Sequence, residues 1–358
     1  MGDGQFGTRL ANGKDAASPR YIYAYTSLLA NAMFNADDGP VLEYRMEEGT
    51  RVEPVCMAPC MPVVLLNGAA AIATGFSTEI PTFEPAAVLA AVRTFLGADD
   101  GEEVDFPPLK PFYRGFTGTV VEDTGPNRSD WRMEGRFSRS GNEVTITELP
   151  VGRAFVKAAE DFKAEDSLVR LVDDRSTETA PHMRLQFKSA EALEKAEKRG
   201  LERALGLVSA VSTKNMFLLD PSGAIKLYAT TGDILRDWCP WRLQMYARRK
   251  EHLLDVAKNR ISLLSDKHRF VAAVVARTID VAAGDEAALT ARLVEDGYAR
   301  VGGTYNYLLD ISIRTMTRDR CAKLAAELAA EREGERVLRA TSPRQMWARE
   351  LDAVEPLL

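Results

Sequence analysis

Two long helical stretches near the C-terminal end restrict the fold more than any other feature of the chain. Residues 232–276 and 315–341 both carry apolar residues at helical spacing among many charged ones. A short insert, residues 280–303, lies between them and is interrupted by Gly284. Two charged helices that flank a small insert predict an antiparallel coiled coil with a tip domain. The periodicity is equally compatible with part of a helical bundle, and Pro240 is expected to kink or delay the first helix.

The residues before these helices predict a mixed α+β region. Helices are predicted over residues 84–96, 151–162 and 190–200. Strands are predicted over residues 116–121, 143–149, 183–187, 215–219 and 224–228, the last two joined by the turn Asp220-Pro221-Ser222-Gly223. We therefore expect a multidomain α+β protein, divided at about residues 1–60, 61–229 and 230–358, with the tip at about 277–312.

The composition describes an ordinary soluble protein and excludes several classes. Hydrophobic residues make up 46% of the 358 residues, but no run of about 18 apolar residues predicts a membrane span and no signal peptide begins the chain. The four cysteines and three histidines do not suggest a zinc site, so we expect reduced thiols in an intracellular protein. The net charge of −6 argues against a uniformly basic DNA wrapper but allows local basic patches.

The N-terminal segment joins a glycine-rich, basic loop to a restrained Pro-Arg-Tyr step. Its glycines and cations are Gly4, Gly7, Gly13, Arg9, Lys14 and Arg20. Pro19 fixes its own backbone and pushes Ser18 into an extended conformation, so Arg20 and Tyr21 follow from a restrained backbone. A helix is expected over residues 19–34, with an apolar stripe that packs inward. That stripe consists of Ile22, Tyr25, Leu28, Leu29 and Met33.

An arginine beside a tyrosine suits chemistry on a phosphodiester. A tyrosine can attack the phosphorus and hold the broken strand as a phosphotyrosine ester, which conserves the bond energy for resealing. A guanidinium forks onto two non-bridging oxygens and stabilises the charge of the transition state. A lone Arg-Tyr pair is more often an ordinary surface feature at the start of a helix.

Sequence blocks along the whole chain favour the chemical interpretation. They lie at residues 4–25, 51–54 (RVEP), 64–68 (VLLNG), 72–77 (IATGFS), 80–81 (IP), 146–150 (ITELP), 233–237 (DILRD), 305–310 (YNYLLD) and 341–347. In this order they resemble the eukaryotic-type branch of the type IIA DNA topoisomerases. The resemblance implies the end of a winged helix in residues 1–60, a tower domain in 61–229, and a coiled coil with the C-gate in 230–358.

The resemblance also implies a role for each candidate site residue. Tyr21 would be the catalytic nucleophile and Arg20 the phosphate clamp. Arg9 and Lys14 match positions that hold the DNA backbone. Ile72 matches an isoleucine that the family inserts between base pairs, where a wedge offsets an unstacking cost of a few kcal/mol per step by gaining contacts.

The sequence alone favours a different interpretation of Ile72, a buried strand residue in a hairpin. The preceding Ala69-Ala70-Ala71 departs from the family pattern, which usually has an acidic residue and more glycine. This departure leaves the geometry of the loop open.

The implied reaction needs parts that we do not expect in this chain. The whole enzyme passes one duplex through a transient double-strand break, driven by ATP, and cleaves with Mg²⁺ held by a separate Toprim domain. No phosphate-binding glycine loop is present for ATP. The acidic pairs Asp37-Asp38, Asp99-Asp100 and Asp173-Asp174 fit solvated turns. Mg²⁺ and ATP are therefore expected to bind a partner subunit or a longer parent protein.

The expected partners are double-stranded DNA and a second copy of the chain, with no membrane partner. Within the insert, Leu289, Leu293, Val294 and Tyr298 recur at helical spacing with few obvious partners, which predicts a homodimer through the tip. A eukaryotic source would place the protein in the nucleus, and a viral source in the host cell or virion.

Two alternatives stay open at this point. One is a non-catalytic DNA-bending or dimerisation module that retains the fold, although the intact Arg20-Tyr21 pair argues against it. The other is a bacterial gyrase-type subunit, which is disfavoured because the glutamine-arginine-glycine box and β-rich tail of that branch are absent.

Overall fold

The computed structural model describes residues 6–99, 101–123, 131–164, 168–281 and 285–358, so Gly4, Asp100 and Gly284 lie outside the described residues. The mixed α/β chain forms two compact units. Unit 1 comprises Met1–Asn35, Pro59–Arg242 and Ala348–Leu358, and unit 2 comprises Ala36–Ala58 and Leu243–Trp347. The division into three domains inferred from the sequence stays a prediction. Within the described ranges, no helix is both long and apolar enough to cross a membrane.

Several of the helices begin where the sequence supplies a side-chain cap or a first-turn proline. They are α1 (Leu28–Met33), α2 (Val63–Asn67), α3 (Pro85–Gly97), α4 (Phe155–Lys163), α5 (Ala190–Lys198), α6 (Leu201–Ala204), α7 (Thr231–Val275), α8 (Glu286–Glu295), α9 (Asn306–Leu309), α10 (Arg318–Ala340) and α11 (Pro343–Val354). In α1, α5, α8 and α10 the cap oxygen accepts the N–H of the residue three positions on, which satisfies one orphan donor. These caps are Ser27, Ser189, Asp285 and Thr317.

In the described ranges, the strands form five small antiparallel sheets. They are β1 (Tyr44–Glu47), β2 (Thr50–Pro54), β3 (Ala69–Ala73), β4 (Phe76–Ile80), β5 (Thr119–Glu122), β6 (Trp131–Glu134), β7 (Arg136–Ser140), β8 (Glu143–Glu148), β9 (Val169–Asp174), β10 (Met183–Phe187), β11 (Val208–Val211), β12 (Met216–Leu219) and β13 (Ile225–Tyr228). The two larger sheets have the orders β7-β8-β10-β9 and β11-β6-β5, and the hairpins β1-β2, β3-β4 and β12-β13 make up the rest.

The four-stranded sheet carries the main core of unit 1. Alternate residues of β8 and β10 are fully buried, because one face of a strand with period-two apolar residues packs inward. The helices α4, α5 and α6 contribute to the same core. Its large, fully buried side chains include Val144, Ile146, Leu149, Phe155, Met183, Leu185, Phe187 and Leu207. This core also supports the segment around Leu10, because the Leu10 side chain packs against it.

Unit 2 is built on an antiparallel pair of long helices. The Lys250 ammonium donates to the carbonyl of Arg339 at 2.9 Å, and Arg260 pairs with Glu331 at 3.3 Å. As the residue numbers increase along α7, the numbers of the contacting residues on α10 decrease. The two helices therefore run in opposite directions. The predicted long helices are confirmed. The expected delay at Pro240 is wrong, because α7 begins at Thr231 and continues past it.

The apolar residues of the tip have packing partners, contrary to the expectation from the sequence. Leu293 and Tyr298 are buried in a core that includes Phe270 of α7 and Leu308. Leu289 is partly buried against the same core, and of the four residues named above only Val294 is exposed, at 51%. The sequence argument was wrong because it counted the insert alone, whereas the end of α7 supplies part of the core.

The segment after Tyr21 also differs from its prediction. The helix expected over residues 19–34 is wrong: a short 3₁₀ turn precedes an extended stretch, and α1 begins only at Leu28. Alternating aromatic and β-branched residues favour extended backbone, and Ser27 then supplies a helix cap. The apolar stripe is likewise wrong, because Tyr25 and Leu28 are exposed and only Met33 is buried.

Candidate active site

Arg20 and Tyr21 occupy one turn of 3₁₀ helix, Pro19–Tyr21. Ser18 has φ −60° and ψ 135°, the extended conformation expected before proline. The N–H of Tyr21 donates to the Ser18 carbonyl at 2.9 Å and closes the turn. The predicted restraint on the Pro-Arg-Tyr backbone is therefore confirmed. The side chains of Arg20 and Tyr21 both project from this short, hydrogen-bonded turn.

The turn presents a phenol and a cation side by side. Tyr21 is 73% exposed, and the guanidinium carbon of Arg20 lies 4.8 Å from the centre of its ring. A phosphate that meets the Tyr21 hydroxyl would find a permanently charged donor fork beside it. Tyr23 and Tyr25 are even more exposed, at 95% and 96%, so the adjacent arginine rather than exposure distinguishes Tyr21.

The loop that leads to this turn is closed by its own side chains. We call residues 7–16 the N-terminal loop. The Asp15 carboxylate accepts from the N–H of Thr8 at 2.9 Å and from its hydroxyl at 2.6 Å. These two bonds from Thr8 lower the pKa of Asp15 below its usual range. The N–H of Gly13 donates to the Thr8 carbonyl at 2.9 Å, so both ends of the loop meet.

Glycine is required where the loop closes. Gly7 has φ +91°, and a Cβ placed there would lie 2.8 Å from the Cα of Gly13. Any side chain at Gly7 would therefore push the two ends of the loop apart. The glycine spacing in the sequence thus corresponds to a tight ring rather than to a flexible tether.

Arg9 points into unit 1, where it meets a buried carboxylate. Its Nη2 lies 2.6 Å from Oε1 of Glu148, whose side chain is only 2% exposed. The guanidinium also donates to the carbonyls of Gly115 and Thr179, at 3.2 and 3.3 Å. The contact with the DNA backbone inferred for Arg9 stays a prediction, but its charge is already paired within the chain.

Glu148 is held in its charged form by the groups around it. Burial acts to raise its pKa, but hydrogen bonds from Arg9 and Thr117, together with the Arg9 charge, outweigh burial and lower the pKa. Thr117 donates from its N–H at 2.8 Å and from its hydroxyl at 2.9 Å. The Leu149 N–H adds a bond at 2.9 Å. The carboxylate is therefore an acceptor surrounded by donors.

Lys14 lies on the exposed side of the N-terminal loop. Its N–H donates to the Ala11 carbonyl at 3.2 Å, while the residue itself is exposed. Its position differs from that of Arg9, although the sequence suggested the same role for both. Of the two cations, Lys14 is the one whose charge faces solvent.

Ile72 stands on a separate hairpin of unit 1. It pairs with Ser77 across β3 and β4, and its side chain is 92% exposed. The interpretation of Ile72 as a buried strand residue is therefore wrong, although it does lie in a hairpin. An isolated isoleucine at the end of a hairpin has the form of a wedge.

The Ile72 hairpin is supported from one side by the residues before β12. The Asn215 carbonyl accepts from the Glu79 N–H at 2.9 Å, and the Asn215 amide donates to the Ser77 hydroxyl at 3.1 Å. The rings of Phe76 and Phe217 lie 6.2 Å apart. These contacts run along β4 from Glu79 to Phe76, beside the turn, while Ile72 on the opposite strand stays exposed.

Sequence reasoning missed Glu148 and Asn215 as supporting residues. One signal for Glu148 was available, because it follows Val144 and Ile146 on the inward-facing positions of an alternating strand. An acidic residue at such a position needs a buried partner. Nothing in the local sequence of Asn215 indicates that it meets a hairpin more than 130 positions earlier.

The acidic residues of the described ranges do not fit a magnesium site. Among those residues, no group of three or more His, Cys, Asp or Glu side chains could hold a metal ion. Asp38 is buried 3.2 Å from Arg249, so its placement in a solvated turn was wrong. Asp173 pairs with Arg175 at 2.9 Å. Because an arginine pairs with Asp38 and another with Asp173, neither of these acidic pairs leaves both carboxylates available to a metal ion.

The chain is similar to known DNA topoisomerases over nearly its whole length. Residues 1–352 match the model of a family described as the A subunit of DNA gyrase/topoisomerase IV. DNA topoisomerase 2 of Invertebrate iridescent virus 6 is 29% identical over 363 residues, which cover 99% of this chain and 31% of the viral protein. DNA topoisomerase 2-alpha of Mus musculus is 30% identical over 391 residues, covering 97% of this chain and 25% of the mouse protein. The chain thus spans less than a third of the length of these relatives.

A solved structure gives the same result for the fold. The crystal structure of the Plasmodium falciparum topoisomerase II DNA-binding, cleavage and re-ligation domain superposes with a TM-score of 0.87. Its sequence is 27% identical, and the match covers 99% of this chain and 51% of that one. The family model includes gyrase in its description, whereas both relatives and this structure are topoisomerase 2 proteins. The resemblance to the eukaryotic-type branch is confirmed.

Proposed function

Because the chain belongs to the family of DNA gyrase/topoisomerase IV A subunits, we propose that it supplies the DNA-cleaving tyrosine of a type II DNA topoisomerase. The single observation that carries this proposal is the 3₁₀ turn on which exposed Tyr21 lies beside Arg20. The superposition on a cleavage and re-ligation domain supports it. The alternative of a non-catalytic DNA-bending module has no better support.

The proposed reaction exchanges one phosphoester bond for another. The phenolic oxygen of Tyr21 attacks the phosphorus of a DNA phosphodiester, and the bond from phosphorus to a deoxyribose oxygen breaks. The phenol loses its proton to solvent or a base, and the departing oxygen gains one. Resealing reverses both steps, so the break itself consumes no external energy. Arg20 stabilises the extra negative charge on the phosphate oxygens.

The other predicted residues would hold and shape the duplex. Exposed Lys14 would contact a backbone phosphate, and Ile72 would enter between base pairs and bend the DNA. Arg9 was predicted to contact the backbone as well, but its paired guanidinium supports a different role. These assignments are proposals that rest on exposure and on the family resemblance.

The finer architecture is proposed from the same resemblance. Unit 1 would contain the end of a winged helix and the tower, and the antiparallel helices of unit 2 would form the coiled coil and C-gate. Two copies would pair through the tip and hold the duplex while it is broken. Strand passage would depend on Mg²⁺ and ATP bound by Toprim and ATPase portions in another chain or in a longer parent protein. Such a protein would work inside the cell, in the nucleus of a eukaryote or in the host cell or virion of a virus.

Paired tyrosine variants test the proposal. The chain would be combined with a Toprim-bearing topoisomerase 2 portion, Mg²⁺ and supercoiled DNA, and covalent protein–DNA adducts would be counted after denaturation. Wild type and Tyr23→Phe should form the adduct, whereas Tyr21→Phe should not, because it has no oxygen to esterify. An adduct that persists in Tyr21→Phe would contradict the assignment. Tyr23 is the matched control because it lies two residues away and is more exposed.

A further inference from the structure

Glu148 is the buried carboxylate that the Arg9 side chain of the N-terminal loop meets. Both its oxygens are engaged: Oε1 by Arg9 Nη2 and the Leu149 N–H, and Oε2 by the N–H and hydroxyl of Thr117. We call Arg9, Glu148 and Thr117 the loop anchor. Glu148 itself is 1% exposed, so solvent does not replace these bonds when one is lost.

Besides Glu148, the Arg9 guanidinium contacts several other groups of the protein. Its terminal nitrogens meet the carbonyls of Gly115, Thr179 and Leu149 at 3.2 to 3.4 Å. Its guanidinium carbon lies 5.0 Å from the centre of the Phe155 ring. A guanidinium that left this site to bind a DNA phosphate would strand a buried carboxylate without its cation.

The anchor acts on the loop through its backbone. The carbonyl of Leu10 accepts from the Val156 N–H at 3.1 Å, and the carbonyl of Arg9 accepts from Phe155 at 3.5 Å. These bonds dock the loop on the first turn of α4. The Thr8–Asp15 closure then makes the loop one ring, and the ring ends just before the turn that carries Arg20 and Tyr21.

We propose that Glu148 is a positioning residue for strand cleavage: through Arg9 it fixes the N-terminal loop and thereby the place from which Tyr21 attacks. This inference rests on the proposed function. It also assigns Arg9 to the interior of the protein rather than to the DNA backbone. Glu148 touches no reacting atom, so it acts only through the position of the loop.

Hydrogen exchange tests the positioning without needing catalysis. In Glu148→Gln, the amides of Thr8, Gly13 and Val156 should exchange at least about tenfold faster, because local opening becomes easier, while the core amide of Leu185 stays protected. Glu143→Gln is the matched control, since Glu143 lies on the same strand and pairs with Arg184 at 3.2 Å, but its side chain is 42% exposed. Unchanged loop exchange, or a uniform rise that includes Leu185, would overturn the proposal.

A milder variant covers the case in which Glu148→Gln does not fold. Thr117→Val removes one hydroxyl bond from the anchor and keeps the ion pair. It should accelerate the same loop amides by a smaller factor and leave Leu185 unchanged. Loop exchange equal to that of wild type would again count against the anchor.

Salt dependence separates the roles of Arg9 and Lys14. Each phosphate contact contributes about 0.9 to the slope of log affinity for duplex DNA against log salt concentration. Lys14→Gln should therefore lower the slope by about that amount, whereas Arg9→Gln and Glu148→Gln should leave it unchanged. A slope lowered equally by Arg9→Gln would show that Arg9 holds a phosphate and would refute the proposal.

Adduct formation distinguishes failure of this inference from failure of the proposed function. At saturating DNA, Glu148→Gln should form the Tyr21 adduct at least about tenfold more slowly than wild type, with DNA affinity retained. Glu143→Gln should match wild type. If wild type forms no adduct, the proposed function fails while the exchange result still decides the anchor. If Glu148→Gln forms the adduct at the wild-type rate, the anchor does not position Tyr21.

Discussion

At the residue scale, the arrangement separates groups that face solvent from groups that hold them. Tyr21 and Lys14 are exposed, whereas Glu148 is buried and the Arg9 side chain that pairs with it is partly buried. A nucleophile has to meet DNA, and a supporting ion pair has to be kept from water, because burial is what makes a lost partner costly. The difference in exposure therefore suggests different roles for Arg9 and Lys14, although the sequence predicted that both contact the DNA backbone.

Replacing Arg20 tests the clamp. Arg20→Ala should lower the rate of adduct formation by about 10²–10³-fold, as expected when one group that stabilises the transition state is removed. Arg20→Lys should recover part of this loss, since it keeps the charge but not the fork. The rate would be measured in single turnover with excess protein. Full activity in Arg20→Ala would show that the cation near the Tyr21 ring has no part in the reaction.

The lowered pKa of Glu148 predicts how stability depends on pH. A carboxyl whose pKa is depressed by folding stabilises the native state above its unfolded pKa, about 4.3, and loses that contribution as pH falls through the folded value. Wild type should therefore exceed Glu148→Gln in unfolding free energy at pH 7, and the difference should shrink below about pH 4. Urea unfolding at both pH values measures it. A difference that grows on acidification would mean that the pKa is raised instead.

At the element scale, the sequence predicted the elements whose signals are local. The helices α3, α5, α7 and α10 have continuous helical periodicity, and β12-β13 has a strong turn, so each was found. Of the sheet β11-β6-β5, β5 overlaps the strand predicted over residues 116–121, whereas β6 and β11 were missed, because β11 is far from β6 in the chain and only tertiary packing pairs them. The helix expected over 19–34 failed for a local reason, since its aromatic alternation supports extended backbone. At the candidate site, Tyr21 and Arg20 were proposed from the sequence, and their roles stay predictions, whereas the place of Glu148 beside Arg9 required the folded chain.

The Ile72 hairpin gives a prediction at this scale. Ile72→Ala should reduce the bending of a bound duplex, because the wedge is shortened, while unfolding free energy changes by less than about 0.5 kcal/mol at so exposed a site. Fluorescence energy transfer between the duplex ends reports the bend. Leu171→Ala, at a 58% exposed position on β9, is the control and should leave the bend unchanged. Equal bending by the Ile72 variant would remove the wedge from the proposal.

At the scale of the whole molecule, the proposed function requires two copies. A broken duplex stays together only if the protein bridges both ends, and a closed two-fold pair is the commonest assembly of identical chains. The tip buries Leu293 in its own core, so this residue cannot also form the contact. Exposed Val294 and Val301 are left as candidates for the dimer surface.

Analytical ultracentrifugation tests the dimer. Wild type should sediment as a dimer at micromolar concentration, and Val294→Asp should shift it toward monomer while its circular dichroism stays native. Val256→Asp, at a 49% exposed position on α7, should leave the dimer intact. Leu293→Asp should instead disrupt the tip core. A monomeric wild type at tens of micromolar would contradict pairing through the tip.

The central claim is that Tyr21 forms the covalent bond to DNA, and mass spectrometry of the adduct tests it most directly. After nuclease and protease digestion, fragmentation of the peptide that carries Tyr21, Tyr23 and Tyr25 locates the residual nucleotide phosphate. We expect it on the Tyr21 oxygen alone, beside the Arg20 guanidinium. A phosphate found on Tyr23 or Tyr25, or a peptide with no modification in an active preparation, would contradict the account.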